Sequence, residues 1–272
     1  MIFDFTKATD GVDIRIGRMQ PDGDIKGVIQ MAHGFGEGIE HYDALSEFFA
    51  ERGFALVVHD QRGFGKLAKR KGVTPGYKYF LSDIKMVRNK ISEWYPNKPV
   101  ILYGFSMGGN IAINYLLKYG ESDYVKLIIE SPWFNIRKPL PKRKSIPVRI
   151  ISFFSRTATT STGPYTNSTR KDDGIHHNRI SFRLLTEINN AGKYAVKNAD
   201  KINLPTLFLY STKDNVVSLT QILKYLDAVD DNVKSVEYHE EGHSLFRSAV
   251  SEQMLNEIAG FIKEDKTQSI VK

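Results

Sequence analysis

The chain alternates between short apolar runs and longer segments in which apolar residues recur every three or four positions. The short runs have the length of buried strands, and the longer segments have the spacing of amphipathic helices. Strands are predicted over residues 12–16, 27–32, 54–58, 100–103, 125–129, 206–210 and 234–238. Helices are predicted over 42–52, 82–95, 110–119, 219–226 and from about 250 to 262. This alternation predicts an α/β fold with a mostly parallel central sheet flanked by helices.

The alternation breaks after Pro132 and resumes near residue 206. Residues 134 to about 180 contain four prolines, a basic cluster and a run rich in serine and threonine. We therefore predict an α/β core formed by residues 1–134 and 186–272, with a cap or lid inserted over 135–185. The helix predicted over 82–95 carries its own boundary signals, because Ser82 can cap its start and Pro96 ends it.

Charge is concentrated in the predicted cap. The chain has 38 basic and 31 acidic residues, but no acidic residue falls between Glu130 and Asp172. Basic side chains near an anionic lipid surface contribute about 1 kcal/mol each, and interleaved apolar side chains can enter the interface. The cap is thus predicted to contact anionic membranes; a solvated basic face is the alternative. Nine basic residues lie in this stretch: Arg137, Lys138, Lys142, Arg143, Lys144, Arg149, Arg156, Arg170 and Lys171.

Composition excludes several classes of protein. The 272 residues are 41% hydrophobic, which supports a sizeable core, and none is cysteine, which excludes disulfides and thiolate zinc sites. The first residues include Asp4 and no long apolar run, unlike a secretory signal. No apolar run reaches the length of a membrane span. We expect a soluble, cytoplasmic protein, with no nucleic-acid partner because no binding module is recognisable.

The strongest chemical signal is Gly104-Phe-Ser106-Met-Gly108 between a predicted strand and a predicted helix. In this context a serine is held on a sharp, strained turn that exposes its hydroxyl above the sheet. The crowded turn requires residues with almost no side chain two positions before and after the serine. Ser106 is therefore the candidate nucleophile.

A serine nucleophile needs a histidine base and a carboxylate that orients the histidine. On this type of fold the chain order is serine, acid, histidine, with both partners after later strands. Asp214 and His243 each follow a predicted strand in the required order. Two alternatives remain for the acid: Asp214 could merely cap the next helix, and Glu130 ends an earlier strand. His239 is the alternative base.

Residues 239–243 also spell H-E-x-x-H, the motif of zinc proteases. That motif places both histidines on one side only when it lies on a helix. Here it follows a β-rich run and contains Gly242, which weakens a helix. We expect neither a metal nor a cofactor.

An oxyanion in acyl transfer needs two backbone N–H donors. One is expected from Met107, the residue after the nucleophile, and one from the loop after the strand over 27–32. Phe35 lies in that loop, between Gly34 and Gly36, which allow the backbone to approach a ligand closely. The alternative interpretation of this glycine-rich segment is an ordinary turn.

Several motifs together resemble the α/β-hydrolase superfamily, in particular its monoacylglycerol lipase and lysophospholipase group. The resemblance implies a nucleophile at Ser106, an orienting acid at Asp214, a base at His243 and oxyanion donors at Phe35 and Met107. The matching segments are HGFGE at 33–37 with Tyr42, HDQRGFG at 59–65, GFSMGG at 104–109, HNRIS at 177–181, Asp214, and GH at 242–243.

The resemblance implies a serine hydrolase that cleaves a small-molecule acyl ester, either a monoacylglycerol or a lysophospholipid. The serine turn at residues 104–108 does not specify the leaving group of the ester, so a small-ester or aryl carboxylesterase is the close alternative. Two hypotheses lie outside this class: a non-catalytic relative that binds lipid, and a zinc protease. The cap does not align with the family, which leaves the acyl chain and the headgroup open.

Overall fold

The computed structural model describes residues 1–137, 155, 157–161, 173–239 and 242–264. The predicted cap over 135–185 lies mostly outside the described residues. The basic cluster does too, apart from Arg137. The boundaries of the cap and its contact with membranes therefore stay predictions. No helix among the described residues has both the length and the apolar character needed to cross a membrane.

Eight strands form one sheet: β1 Ile2–Lys7, β2 Asp13–Met19, β3 Gly27–Ala32, β4 Phe54–His59, β5 Val100–Phe105, β6 Lys126–Glu130, β9 Thr206–Ser211 and β10 Val233–Tyr238. Their spatial order is β1-β2-β4-β3-β5-β6-β9-β10. Strands β1 and β2 pair antiparallel, β2 meets β4 antiparallel, and the remaining neighbours are parallel. The predicted α/β fold with a mostly parallel sheet is confirmed. A separate antiparallel pair joins β7 Thr159–Ser161 and β8 Arg179–Ser181.

Most helices fall where the apolar spacing predicts them, with two exceptions. Helix α2, Lys78–Trp94, begins four residues before Ser82, so that residue is not its cap; the Ser82 hydroxyl instead donates to the Tyr79 carbonyl. Helix α4, Phe182–Lys197, was not predicted, and it begins where the Ser181 hydroxyl accepts the Leu184 N–H. The described helices are α1 Asp43–Ala50, α2 Lys78–Trp94, α3 Met107–Tyr119, α4 Phe182–Lys197, α5 Leu219–Leu226 and α6 Ser251–Lys263.

The central strands β3, β4, β5, β6 and β9 are buried on both faces, because helices cover both sides of the sheet. Successive side chains of a strand point to opposite sides. Along β5, Leu102 joins the apolar layer under α2, α3, α4 and α5, whereas Ile101 and Tyr103 join the layer under α1 and α6. Strands β5, β6, β9 and β10 run parallel, so their carboxyl ends meet at one edge. The loops that carry the candidate catalytic residues leave the sheet at that edge.

Candidate active site

Ser106 lies on a strained turn between β5 and α3. Its backbone has φ +54° and ψ −113°, an unfavourable conformation for a residue with a side chain. The neighbouring glycines leave room for the crossing: a Cβ at Gly104 would lie 2.6 Å from the Gly108 carbonyl oxygen, and one at Gly108 would lie 1.8 Å from the Ala32 carbonyl oxygen. The glycine requirement inferred from the sequence thus has a direct steric cause, and α3 starts against the end of β3.

His243 connects Ser106 with Asp214. The His243 Nε2 atom lies 2.7 Å from the Ser106 hydroxyl, and its Nδ1 atom lies 2.7 Å from Asp214 Oδ2. The other oxygen of Asp214 accepts the backbone N–H groups of Val216 and Val217 at 2.7 and 3.0 Å. The carboxylate is thereby fixed with one oxygen toward the imidazole. The structure brings together the three residues that the sequence assigns to the nucleophile, acid and base.

The electrostatic surroundings of His243 favour its protonated form. Burial opposes a charge on the ring, but the carboxylates of Asp214, Glu130 and Glu37 favour one and prevail, so the pKa of His243 is raised above 6.5. A higher pKa makes the imidazole a better acceptor for the serine proton. An unperturbed histidine has a pKa of about 6.5; the pKa of His243 is higher because three carboxylates lie near one ring.

The loop after β3 is organised around a buried neutral histidine. Burial lowers the pKa of His33 to about 4, so the ring donates from one nitrogen and accepts at the other. Its Nδ1 atom lies 2.8 Å from the Gly34 carbonyl oxygen, and its Nε2 atom accepts the Gln61 N–H at 2.9 Å. The Gln61 side chain returns a hydrogen bond to the His33 carbonyl. These bonds fix the backbone on which Phe35 lies.

The two predicted oxyanion donors lie on either side of the contact between β3 and α3. Over the ranges that the structure describes, neither Phe35 nor Met107 uses its backbone N–H in a hydrogen bond. Two such donors are what a developing oxyanion requires. The Phe35 ring packs edge-on against Phe64, Trp133 and His177, with centroids 5.4 to 6.0 Å apart. The role of both donors stays a prediction.

The model of one protein family, described as serine aminopeptidase, S33, matches residues 23–248. The chain belongs to this family, Hydrolase_4. It is a serine hydrolase with the α/β-hydrolase fold, which confirms the family and the fold expected from the motifs.

Relatives of this hydrolase include enzymes named for lipid esters. It is 22% identical to the monoacylglycerol lipase of Mycolicibacterium smegmatis over 265 residues, which cover 93% of each chain. It is 22% identical to the probable lysophospholipase L2 of Haemophilus influenzae, over 79% of this chain and 76% of that one. A soluble variant of monoglyceride lipase from Saccharomyces cerevisiae, in complex with a substrate analog, superposes with a TM-score of 0.81 at 19% identity, over 96% of this chain and 94% of that one.

The alternative acid and the alternative base occupy other places in the hydrolase. Glu130 is buried, but its carboxylate accepts hydrogen bonds from the Tyr103 hydroxyl and from backbone N–H groups after His243. The His239 side chain is 76% exposed. Residues 240–241 of the H-E-x-x-H string lie outside the described residues. Within the described ranges, no group of three or more histidines and carboxylates is arranged to hold a metal ion.

A cluster of hydrogen bonds that local sequence patterns do not reveal connects the loop that holds Phe35 with the segment that follows His243. Arg247 donates to Glu37 Oε1 at 3.0 Å and to the His41 carbonyl at 2.9 Å. The Tyr42 hydroxyl donates to the other oxygen of Glu37. Glu37 and Tyr42 were noted only as part of a family motif. Arg247 gave no local signal for these contacts, because Glu37 and His41 lie more than 200 residues away.

Residues 173–177, near the end of the predicted cap, also contact the loop that holds Phe35. The His177 N–H donates to the Gly36 carbonyl at 3.2 Å, and the His177 ring stacks on Phe64 at 5.2 Å. Asp173 Oδ2 lies 2.6 Å from His41 Nε2. A side chain at Gly36 would collide with the His177 carbonyl, 2.3 Å from the position of a Cβ. This segment therefore forms one wall beside the Phe35 loop.

Proposed function

We propose that the protein hydrolyses carboxylic esters of fatty acids, as a monoacylglycerol lipase or lysophospholipase, through a Ser106–His243–Asp214 triad. The observation that carries this proposal is the continuous hydrogen-bonded chain from the Ser106 hydroxyl through both ring nitrogens of His243 to Asp214, with 2.7 Å at each link. Nucleophile, base and orienting acid at these distances are the geometry of acyl transfer by a serine.

The reaction follows from the positions of the groups. The Ser106 oxygen attacks the ester carbonyl while its proton passes to His243 Nε2, and Asp214 stabilises the imidazolium. The oxyanion accepts hydrogen bonds from the N–H groups of Phe35 and Met107. His243 then protonates the leaving alcohol, which leaves an acyl group on Ser106. A water molecule then attacks the acyl carbonyl while His243 takes its proton. The tetrahedral intermediate collapses, the carboxylic acid leaves, and His243 returns the proton to the Ser106 oxygen.

Two observations support a lipid ester over other acyl compounds. The relatives named above are a monoacylglycerol lipase, a monoglyceride lipase and a probable lysophospholipase. The Phe35 ring also packs in a buried cluster with the rings of Phe64, Trp133 and His177, so the surroundings of this candidate oxyanion donor are apolar, as suits an acyl chain. A small-ester or aryl esterase would use the same triad, so the leaving group must be found by experiment.

A substrate panel tests the proposal. Purified protein is assayed against monoacylglycerols, lysophospholipids, short aryl esters and an aminoacyl anilide, with Ser106→Ala as the control. We expect turnover of a lipid ester that Ser106→Ala abolishes and that a chelator leaves unchanged. Turnover of only short aryl esters would assign the alternative, small-ester activity. Lipid binding without any turnover would identify a non-catalytic relative and contradict the proposal.

The basic stretch between Glu130 and Asp172 supports a second part of the proposal: a cytoplasmic location with peripheral contact with anionic membranes. Positive charge near an anionic surface attracts it, and the attraction weakens with salt. Vesicle sedimentation with and without anionic lipid tests this contact. Binding should require anionic lipid and weaken when Lys142, Arg143 and Lys144 are all changed to glutamine. Binding that ignores both changes would contradict it.

A further inference from the structure

Glu130 occupies the junction between the nucleophile turn and the sheet. It is the last residue of β6 and pairs with Phe105, the last residue of β5. It is completely buried. Its backbone carbonyl accepts the Ser106 N–H at 2.9 Å, so the main chain of Glu130 holds the turn on which the nucleophile lies.

The side chain of the same residue holds the segment that carries the base. Glu130 Oε1 accepts the Leu245 N–H at 2.7 Å and also contacts the Phe246 N–H at 3.4 Å. Glu130 Oε2 accepts the Tyr103 hydroxyl at 2.7 Å. Leu245 follows His243 by two residues and begins a short 3-10 turn that ends at Arg247. The carboxylate therefore fixes the backbone immediately after the candidate base.

We propose that Glu130 is a positioning residue that sets the distance between Ser106 and His243 by holding the backbone of both. The proposal rests on the catalytic roles proposed above for these two residues. A carboxylate that accepts backbone N–H groups forms charge-assisted hydrogen bonds, which are shorter and stronger than bonds between neutral groups. The Tyr103 hydroxyl, which belongs to the nucleophile strand β5, fixes the direction of the carboxylate.

A purely structural role makes a different prediction from a positioning role. If Glu130 only stabilised the fold, its substitution would lower the unfolding temperature and leave the chemistry of the remaining folded protein unchanged. A positioning residue controls the approach of His243 Nε2 to the Ser106 hydroxyl, and a misplacement of about 1 Å can cost about 100-fold in rate. Burial raises the pKa of Glu130 to about 7. In its ionised form the carboxylate favours the protonated form of His243, so its loss should alter the pH profile.

The test compares Glu130→Gln and Glu130→Ala with wild type in the rate of labelling by a fluorophosphonate between pH 5 and 9. This reagent reports the reactivity of Ser106 toward any acyl-like electrophile and does not depend on the ester substrate. Glu237→Gln is the matched control, because Glu237 also accepts a tyrosine hydroxyl, that of Tyr210 at 2.6 Å, on β10. Thermal unfolding of every variant is measured in parallel.

We expect Glu130→Gln to label about 10-fold and Glu130→Ala about 100-fold more slowly than wild type. The acid limb of Glu130→Gln should move to lower pH, while Glu237→Gln should match wild type. Labelling of Glu130→Gln at the wild-type rate with an unchanged acid limb would overturn the proposal and leave the proposed ester hydrolysis intact. If Glu130→Ala does not fold, Glu130→Gln decides alone. Wild-type protein that labels no faster than Ser106→Ala would overturn both proposals.

Discussion

Asp214→Asn is a substitution whose effect can be worked out from the hydrogen bonds of the site. In the wild type, Oδ1 of Asp214 accepts two backbone N–H groups, from Val216 and Val217, and Oδ2 faces His243 Nδ1. In the variant, the amide oxygen keeps the place of Oδ1, because an NH2 group there would face two N–H donors. The NH2 group of the asparagine must then point at His243 Nδ1.

This arrangement forces the wrong tautomer on the base. His243 Nδ1 can only accept from the NH2 group, so the ring proton moves to Nε2, which then cannot accept the Ser106 proton. Turning the amide over would leave two buried N–H donors without partners, at about 1–3 kcal/mol each. We therefore expect kcat to fall about 10⁴-fold. At 1.36 kcal/mol for each factor of ten, this is a loss of about 5.4 kcal/mol in transition-state stabilisation.

The assay is steady-state hydrolysis of the best ester from the substrate panel, with circular dichroism and thermal unfolding to show that Asp214→Asn folds. Ser106→Ala gives the background. Activity of Asp214→Asn within tenfold of wild type, in a folded protein, would refute this reasoning. It would mean that Asp214 neither orients the imidazole nor stabilises its protonated form. The assignment of the acid would then have to move away from the end of β9.

Three further predictions follow from the site and the fold. Because a protonated imidazole cannot accept the serine proton, kcat/KM should fall as pH decreases through the raised pKa of His243, with a midpoint above 6.5 in a pH–rate profile. Gly108→Ala should lower the free energy of unfolding by about 3 kcal/mol or more, because its Cβ would lie 1.8 Å from the Ala32 carbonyl oxygen. Gly260→Ala should raise the free energy of unfolding by about 0.5–1 kcal/mol, because a Cβ there enters open space on α6. Denaturant titration measures both changes. His239→Ala should hydrolyse esters at the wild-type rate with or without chelator, and zinc-dependent activity would contradict this.

The central strands could be predicted because burial on both faces makes them continuously apolar. Most helices could be predicted because burial of one face spaces their apolar residues three or four positions apart. The first strand escaped prediction: Phe3 and Phe5 of β1 are 44% and 60% exposed, so burial does not explain its pattern. Helix α4 escaped too, because it follows directly after β8 at Ser181, with no turn signal between them. The start of α2 was misplaced because Ser82 resembles a cap, although its hydroxyl bonds within the helix.

The site divides in the same way. Ser106, Asp214 and His243 could be proposed from the sequence because each follows a strand whose carboxyl end meets the same edge. The residues that hold these three in place, such as Glu130 and Arg247, could not be proposed, because the groups they bind in the site are distant in the chain. Glu130 binds a backbone N–H 115 residues away, and Arg247 binds a carboxylate 210 residues away. Nothing in a local pattern reports such contacts.

Mass spectrometry of the protein, quenched with acid during turnover of a slowly hydrolysed acyl ester, tests directly whether an acyl-enzyme forms on Ser106. We expect the protein to gain the mass of one acyl group and peptide mapping to place the group on Ser106. The adduct should be absent from Ser106→Ala and should form much more slowly in His243→Ala. Turnover without an adduct on Ser106, or with the acyl group on another residue, would contradict the proposed mechanism.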